Sequence, residues 1–432
     1  MPDTPAAPPR ESATPSPMPA VDPGAVRRAF ALTDQVVQDC PRRLAGSESC
    51  HRAAEHIRER FAEHCAPGSA VIETFRFHPK AFLKFVRPAI ALVYLALLLI
   101  WLDQGALALV VAPWTTIAFL TQIAFYKGTF DRLFPAATGA NVLGRVDPPG
   151  PVLQQIIVSA HHDAAYVFHT MDRLPRFYPF ALVGTLVMNL YAIAAAAVIL
   201  ADPGTVETVG MVTLIATAAW TPFMLGHWFM TGDAVSPGAG DNMMSVAIAA
   251  EVGRALDQAK RRGDPLLAHT RVVLASFDGE ESALKGARAY CERHAAELFD
   301  PAVPTRVLNL ESLYRLDHLC VQATDINGFV PLSKAMNDDL QRIAHAQGQA
   351  QVTARGIAFL GGGTDAGEFA RRGVEATTIL GIIPDASSLT LDTVYHSPRD
   401  TTEHVEEAIV EATLSLVLAY LVEKDGELQA CR

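Results

Sequence analysis

His161, Asp241, Glu281, Glu311 and His396 follow one another along the chain, two imidazoles and three carboxylates, each with an acidic or polar companion. Donors of these types suit zinc, with manganese or cobalt as substitutes. A pair of such ions can lower the pKa of a water, polarise a carbonyl and steady a tetrahedral oxyanion. Glu280 stands beside Glu281, and neighbours at a turn point in different directions, so one can bind metal while the other stays free as a base. The chemistry open to this set is hydrolysis with two metals.

The elements that would position these residues are legible. An apolar run, Gln154 to Ala160, reads as a buried strand that delivers His161-His162-Asp163 at its C-terminal end. Residues two apart on a strand point the same way, so Asp163 can hold the His161 ring in one tautomer. Asp241 opens Asp241-Asn242-Met243-Met244-Ser245-Val246 at the start of a helix through Ala247 to Leu256, where a carboxylate can bridge two cations. A second strand, Val272 to Phe277, ends in Asp278-Gly279-Glu280-Glu281, and a third, Arg306 to Leu310, delivers Glu311. His396 lies far downstream in Val394-Tyr395-His396-Ser397-Pro398. Taken singly, each piece has a plainer reading: a structural His-x-Asp, a solvated first helical turn, an N-cap, a loop turn. Their joint occurrence at successive strand ends, where open α/β sheets place their sites, favours the chemical one.

Together these residues resemble the M28 family of zinc aminopeptidases from about Arg27 to Glu423, two hydrophobic insertions excepted. The pieces that carry the resemblance are Ser159-Ala160-His161-His162-Asp163, Gly240-Asp241-Asn242, Phe277-Asp278-Gly279-Glu280-Glu281 followed by Gly286-Ala287-Arg288-Ala289-Tyr290, Asn309-Leu310-Glu311, and Tyr395-His396-Ser397-Pro398-Arg399-Asp400-Thr401. The resemblance implies an α/β fold, a mixed β-sheet flanked by helices of the zinc-dependent exopeptidase type. It implies two Zn2+ per chain, one held by His161, Asp241 and Glu311, the other by Asp241, Glu281 and His396. Glu280 would be the general base and acid, and Asp163 the partner of His161. Glu311 departs from the Asp usual at its position, though its longer side chain can still bind. Gly361-Gly362-Gly363-Thr364-Asp365-Ala366 resembles the family's Gly-rich loop lining the substrate pocket, which makes Thr364, Asp365 and Tyr395 candidate substrate contacts, with a simple turn and N-cap as the competing reading.

The chain has 432 residues, half of them hydrophobic, and four apolar segments account for the excess: Pro88 to Leu102, Ala106 to Tyr126, Phe177 to Ala201 and Thr208 to Met230. The last three reach the roughly 20 residues that cross a bilayer; the first is short and reads as re-entrant or tilted. They form two transmembrane helical hairpins, 83–126 and 177–230, inserted into a peptidase domain made of 25–82, 127–176 and 231–432 behind a tail, 1–24, rich in Pro, Ala, Ser and Thr. The second hairpin separates His161 from Asp241. If Val71 to Phe77, Asn141 to Val146 and Gln154 to Ala160 form an antiparallel meander, both hairpins leave the sheet at the edge that carries the ligands. The site is then expected to face the bilayer, walled by the four helices.

Lys80, Lys84, Arg87, Lys127, Arg132, Arg173 and Arg176 flank the hairpins on the domain side, whereas the tips carry Asp103, Asp202 and Glu207 and no Lys or Arg. The positive-inside rule then places the catalytic domain in the cytoplasm of a multi-pass membrane protein. Six scattered cysteines read as free thiols, with a local Cys40–Cys50 pair as the alternative. The formal charge of -11 argues against nucleic acid as a partner. Asn189 and His227 are polar residues within spans, candidates for function, for helix glue or for an interfacial role. The expected partners are a peptide or amide substrate, hydrophobic in character, and the lipid bilayer; a homo-oligomer is compatible with the residues. A metalloaminopeptidase is the leading expectation, with a single-zinc glutaminyl-cyclase-like transferase and a non-catalytic scaffold as alternatives.

Overall fold

A computed structural model of the protein describes residues 21–383 and 394–430. The expected tail lies, but for its last four residues, outside the described residues, as does Cys431. Nine strands form one mixed sheet: β1 (Val71–Phe77), β2 (Ala137–Val146), β3 (Gln154–His161), β6 (Thr270–Phe277), β7 (Thr305–Glu311), β8 (Cys320–Asp325), β9 (Val330–Pro331), β10 (Ala354–Gly356) and β11 (Glu375–Leu380). The order is β1-β2-β6-β3-β7-β11-β8-β10, with β9 paired to β8. The four central strands, β6, β3, β7 and β11, are parallel. Every residue of β3 is buried, as an unbroken apolar run in a sheet covered on both faces should be.

Side-chain alternation divides the core. Ile156, Val158 and Leu274 point to the face covered by helices Ala25–Asp39, Glu48–Ala62, Met244–Arg261, Lys334–Ala346 and Glu407–Ala430. Ile157, Val273 and Val307 point to the other, against Tyr290 and Phe369 of helices Lys285–Arg293 and Asp365–Ala370. The expected meander is corrected in one respect: β6 lies between β2 and β3, so those two strands are not neighbours. Polarity is kept nonetheless, since β2 runs antiparallel to both β1 and β6 while β3 runs parallel to β6. Phe77, Ala137 and His161 therefore share one sheet edge.

Four apolar helices leave from that edge: Ala81–Trp101, Gly105–Ala124, Tyr178–Ala201 and Pro203–Trp228, each long and apolar enough to cross a membrane. The first runs 21 residues in two consecutive pieces, Ala81–Lys84 and Val86–Trp101, and so is not the short segment expected. Pro88, read as its start, sits three residues into a helical turn where a missing N–H costs little. Ile90, Val93 and Leu97 interdigitate with Ala108, Ala112, Met188 and Ala192 inside the bundle. Outward, Leu98, Val110, Trp114, Leu190 and Ile215 are exposed, so these helices are apolar all round. Asn189 donates to Thr116 Oγ1 at 2.7 Å across two helices, a gluing role. A two-stranded ribbon, β4 (Tyr166–Phe168) with β5 (Thr231–Val235), clasps the base of the second hairpin. Cys40, Cys50, Cys65, Cys291 and Cys320 are free thiols, which removes the Cys40–Cys50 pairing.

Candidate metal centre

Strand ends deliver the donors. His161 closes β3, Glu311 closes β7, and Glu280 and Glu281 lie in the turn after β6. Asp241 precedes helix Met244–Arg261 in an irregular turn, and His396 sits in the loop ahead of the last helix. The structure brings the five donors together in two overlapping clusters, buried but for half-buried Glu281, His161 with Asp241 and Glu311, and Asp241 with Glu281 and His396; Glu280 groups with His161 and Glu281. Asp241 turns one oxygen to each, with Oδ1 3.3 Å from His161 Nε2 and Oδ2 3.1 Å from His396 Nε2. Glu311 Oε1 lies 3.2 Å from His161 Nε2 and Glu281 Oε1 3.2 Å from His396 Nε2.

These separations fit zinc. Tetrahedral ligands at about 2.0–2.1 Å from a shared ion sit about 3.3 Å from one another. Asp241 Oδ2 and His396 Nε2, close as they are, make no hydrogen bond with any partner, so their lone pairs are left for something else. Glu280 Oε2 stands 3.8 Å from His161 Nε2, too far for a direct bond but within reach of a water at the first cluster. Burial pushes the Glu280 carboxyl well above the usual range, with His161 opposing and Glu311, Glu281 and Asp365 adding to it. Burial likewise raises Glu311 to about 7, Asp241 adding to the rise against His161. So many acids out of water are what bound cations neutralise.

Around the donors runs a set of hydrogen bonds that fixes them. The His161 ring meets Asp163 through Nδ1, 3.1 Å from the backbone oxygen and 3.4 Å from Oδ1. The Asp163 carboxylate also accepts the backbone N–H of Glu280 at 3.2 Å and of Glu281 at 3.1 Å, tying both acids to the strand that bears His161. Ser312 Oγ donates to Asp241 Oδ1 and Glu311 Oε1, and Asn242 Nδ2 to Glu311 Oε2. Asp400 accepts the N–H of Gly240 at 2.7 Å. Arg43, fully buried, donates to His162 O at 3.1 Å and Gly238 O at 3.0 Å, clamping the two ligand loops together. Sequence reasoning missed Ser312 and Arg43, and nothing near Arg43 distinguishes it from a surface arginine. A further grouping, Cys50, His162 and Asp278, lies in the core. Its Asp278 already accepts N–H groups from Gly46 and Ala140, and His162 Nδ1 meets Ser276 Oγ, so ordinary hydrogen bonds account for most of it.

A cavity of about 500 Å³ opens from the metal cluster into the helix bundle. Asp241, Glu280, Glu281, Glu311 and His396 line one end; the rest is lined by sheet-domain loops such as Leu360 to Thr364 and by the apolar helices, chiefly the first three, with His227 from the fourth. Tyr395 lines it too and stacks on His396 with ring centroids 3.9 Å apart. Thr364 reaches the wall, but its hydroxyl is taken up by Asp325 at 2.6 Å. Asp365 is fully buried, starts its helix and is not among the lining residues. The second hairpin touches the site directly: Phe168, at its base, packs edge-on to His396 at 4.4 Å and donates its N–H to His396 O at 2.9 Å.

The site is a cluster of His and carboxylate side chains at the parallel strand ends of a mixed sheet, a donor set suited to metal ions. Residues 221–421 match the profile described as Peptidase family M28, a stretch that holds every ligand but His161. Solved structures of the same fold include a glutaminyl cyclase from an Acidobacteriales bacterium (TM-score 0.55, 15% identity, 97% of this chain and 99% of that one). They also include a Zn-dependent exopeptidase from Parabacteroides distasonis (0.53, 13%, 93% and 99%) and a zinc aminopeptidase from Bacillus subtilis (0.52, 13%, 92% and 94%). Comparison with curated protein sequences found no match. Residues 221–421 are thus similar to Peptidase family M28, the fold is that of these solved structures, and the described residues hold two overlapping candidate metal-binding clusters and four helices of membrane-spanning length.

Proposed function

We propose that the protein is a membrane-embedded di-zinc metallopeptidase of aminopeptidase type, hydrolysing an amide bond next to a free N-terminal amine in hydrophobic, membrane-partitioning substrates. The observation that carries this reading is the set of donor separations, 3.1–3.3 Å around the Asp241 bridge, which matches two zinc ions sharing one carboxylate. His161, Asp241 and Glu311 would hold one ion; Asp241, Glu281 and His396 would hold the other. Zinc, when bound, supplies Lewis acidity that polarises the scissile carbonyl and makes water acidic near neutral pH. Glu280 accepts the proton of the attacking water and delivers it to the leaving amine nitrogen. Asp163 keeps the Glu280–Glu281 backbone in place while this happens. The first hairpin and the Phe168 ribbon shield the cleft from bulk water, and the basic domain-side flanks favour a cytoplasmic catalytic domain. Metal analysis of the purified protein, with a substrate screen in detergent or lipid, tests the reading. Two zinc per chain and faster turnover of lipid-partitioning aminoacyl amides than of water-soluble aminoacyl anilides are expected; one metal, or equal turnover of both substrate types, counts against it.

A further inference from the structure

We propose that the cavity ends in a blind pocket for one extended apolar chain, so that the substrate is a small amphiphile, an aminoacyl amide head at the metal cluster with a single unbranched tail inside the helix bundle. This rests on the aminopeptidase reading of the same site. Helical spacing gives the depth. On the third apolar helix Tyr178, Leu182 and Thr185 face the cavity, and Thr185 lies seven residues beyond Tyr178, about 10 Å at 1.5 Å per residue. On the second, Ile123, Phe119 and Thr115 face inward at four-residue spacing and reach a similar level. On the first, Ala89 lies at that level, its carbonyl accepting Thr115 Oγ1 at 3.4 Å.

Beyond this level the bundle is closed: Ile90, Val93, Ala112, Met188 and Ala192 are wholly buried and pack on one another. The polar groups at the floor do not ask for a polar ligand, because Thr185 Oγ1 and His227 Nδ1 satisfy each other at 2.9 Å and Thr115 is bonded to Ala89. The whole cavity, metal end included, is about 500 Å³, the size of a small-molecule site, and its inner end narrows between side chains of the helices onto this one floor.

The test uses zinc-loaded, full-length protein in nanodiscs and alanine amides of butyl-, octyl-, dodecyl- and hexadecylamine. The expected kcat/KM rises with chain length, by up to about fourfold per methylene buried, then stops rising once the tail meets the floor. Ala89→Phe, and independently Thr185→Phe from another helix, move that limit to shorter tails. Val187→Phe, on the exposed face of the third helix, keeps the wild-type length profile. A flat profile, or a limit that Ala89→Phe and Thr185→Phe leave in place, overturns the pocket. A second readout needs no turnover: dodecanamide raises the Tm of the wild type more than butanamide does, and loses that advantage in both filling variants. Should that difference hold while no aminoacyl amide is cleaved, the pocket stands and the aminopeptidase reading falls; cleavage without any length effect or Tm difference gives the reverse.

Discussion

Replacing Asp163 by Asn should weaken metal binding at the Glu281 side of the site without replacing a ligand. The wild-type carboxylate offers one oxygen to each of the Glu280 and Glu281 N–H groups, at 3.2 and 3.1 Å, in a site where Asp163 is fully buried. Asparagine keeps one acceptor oxygen, and its NH2 group then faces the other backbone N–H donor to donor. A hydrogen bond to a charged acceptor contributes about 1.5–3 kcal/mol, so losing one and leaving a buried donor unpaired costs about 3 kcal/mol. Because Glu281 is a ligand and Glu280 its neighbour, much of that cost falls on the geometry of the holo site. Converted at 1.4 kcal/mol per decade, it weakens metal binding by about 100-fold at most. The assay is a chelator titration followed by metal analysis, with activity measured again at saturating zinc. The midpoint should move to lower chelator concentration, and added zinc should restore most of the activity. A midpoint equal to the wild type, with an unchanged Tm, would refute the idea that this carboxylate holds the two acids in place.

Glu280→Gln should lower kcat by about 100- to 10,000-fold with two zinc still bound; metal loss in that variant would reassign Glu280 as a ligand. Gly240→Ala would drive a methyl group into the ring of buried Tyr314, costing about 1–3 kcal/mol by overpacking and displacing Asp241, so Tm and the content of both metals should fall together. His294 Nε2 lies 3.0 Å from Glu73, and this hydrogen bond, against the effect of burial, holds the imidazole above its ordinary pKa of 6.5. A raised folded value means the pair's stabilisation, of order 1 kcal/mol, is fully present below pH 6.5 and lost as pH rises through the folded value. Thermal melts of His294→Gln against wild type should therefore differ at pH 6 and converge at pH 9; a gap that widens on raising the pH would contradict this sign.

How far the sequence could be read depended on whether a residue's role is local. The strand ends that carry His161 and Glu311, and the turn after Phe277 that carries Glu280 and Glu281, were legible because strand periodicity fixes them. The place of β6 between β2 and β3 was not, since strand order in a sheet is set by crossover helices rather than by any residue in the strands. Arg43 illustrates the same limit: its three acceptors are backbone carbonyls at Cys40, His162 and Gly238, which no side-chain pattern advertises. Pro88 misled in the opposite way, because proline marks a helix start in most contexts and here lies just inside one. The place of Thr185 and His227 in the cavity wall could be suspected from polar residues within apolar spans, but only packing distinguishes them from Asn189, which turns its amide to Thr116.

Charge balance separates two-metal hydrolysis from the single-zinc cyclase alternative. Four carboxylates, Asp241, Glu280, Glu281 and Glu311, converge with two imidazoles in a largely buried space. Even at an effective dielectric constant of 20, two like charges at 4 Å cost about 4 kcal/mol, so the set must come close to neutrality. With Asp163 and Asp365 also buried beside this set, two bound dications would bring it closer to neutrality than one and would favour an ionised Glu280, the state a general base must be in. One dication at Asp241, Glu281 and His396 is already neutralised by its own two acids. Glu280 and Glu311 then share the remaining space with His161, where one imidazolium can balance only one of them and the other must carry a proton. Burial and the facing Glu311 both push Glu280 up, so in that state Glu280 competes for the proton and is the poorer base. On the proposed two-metal reading, the number of metals bound would therefore bear on the protonation state of Glu280 as well as on the ligand count.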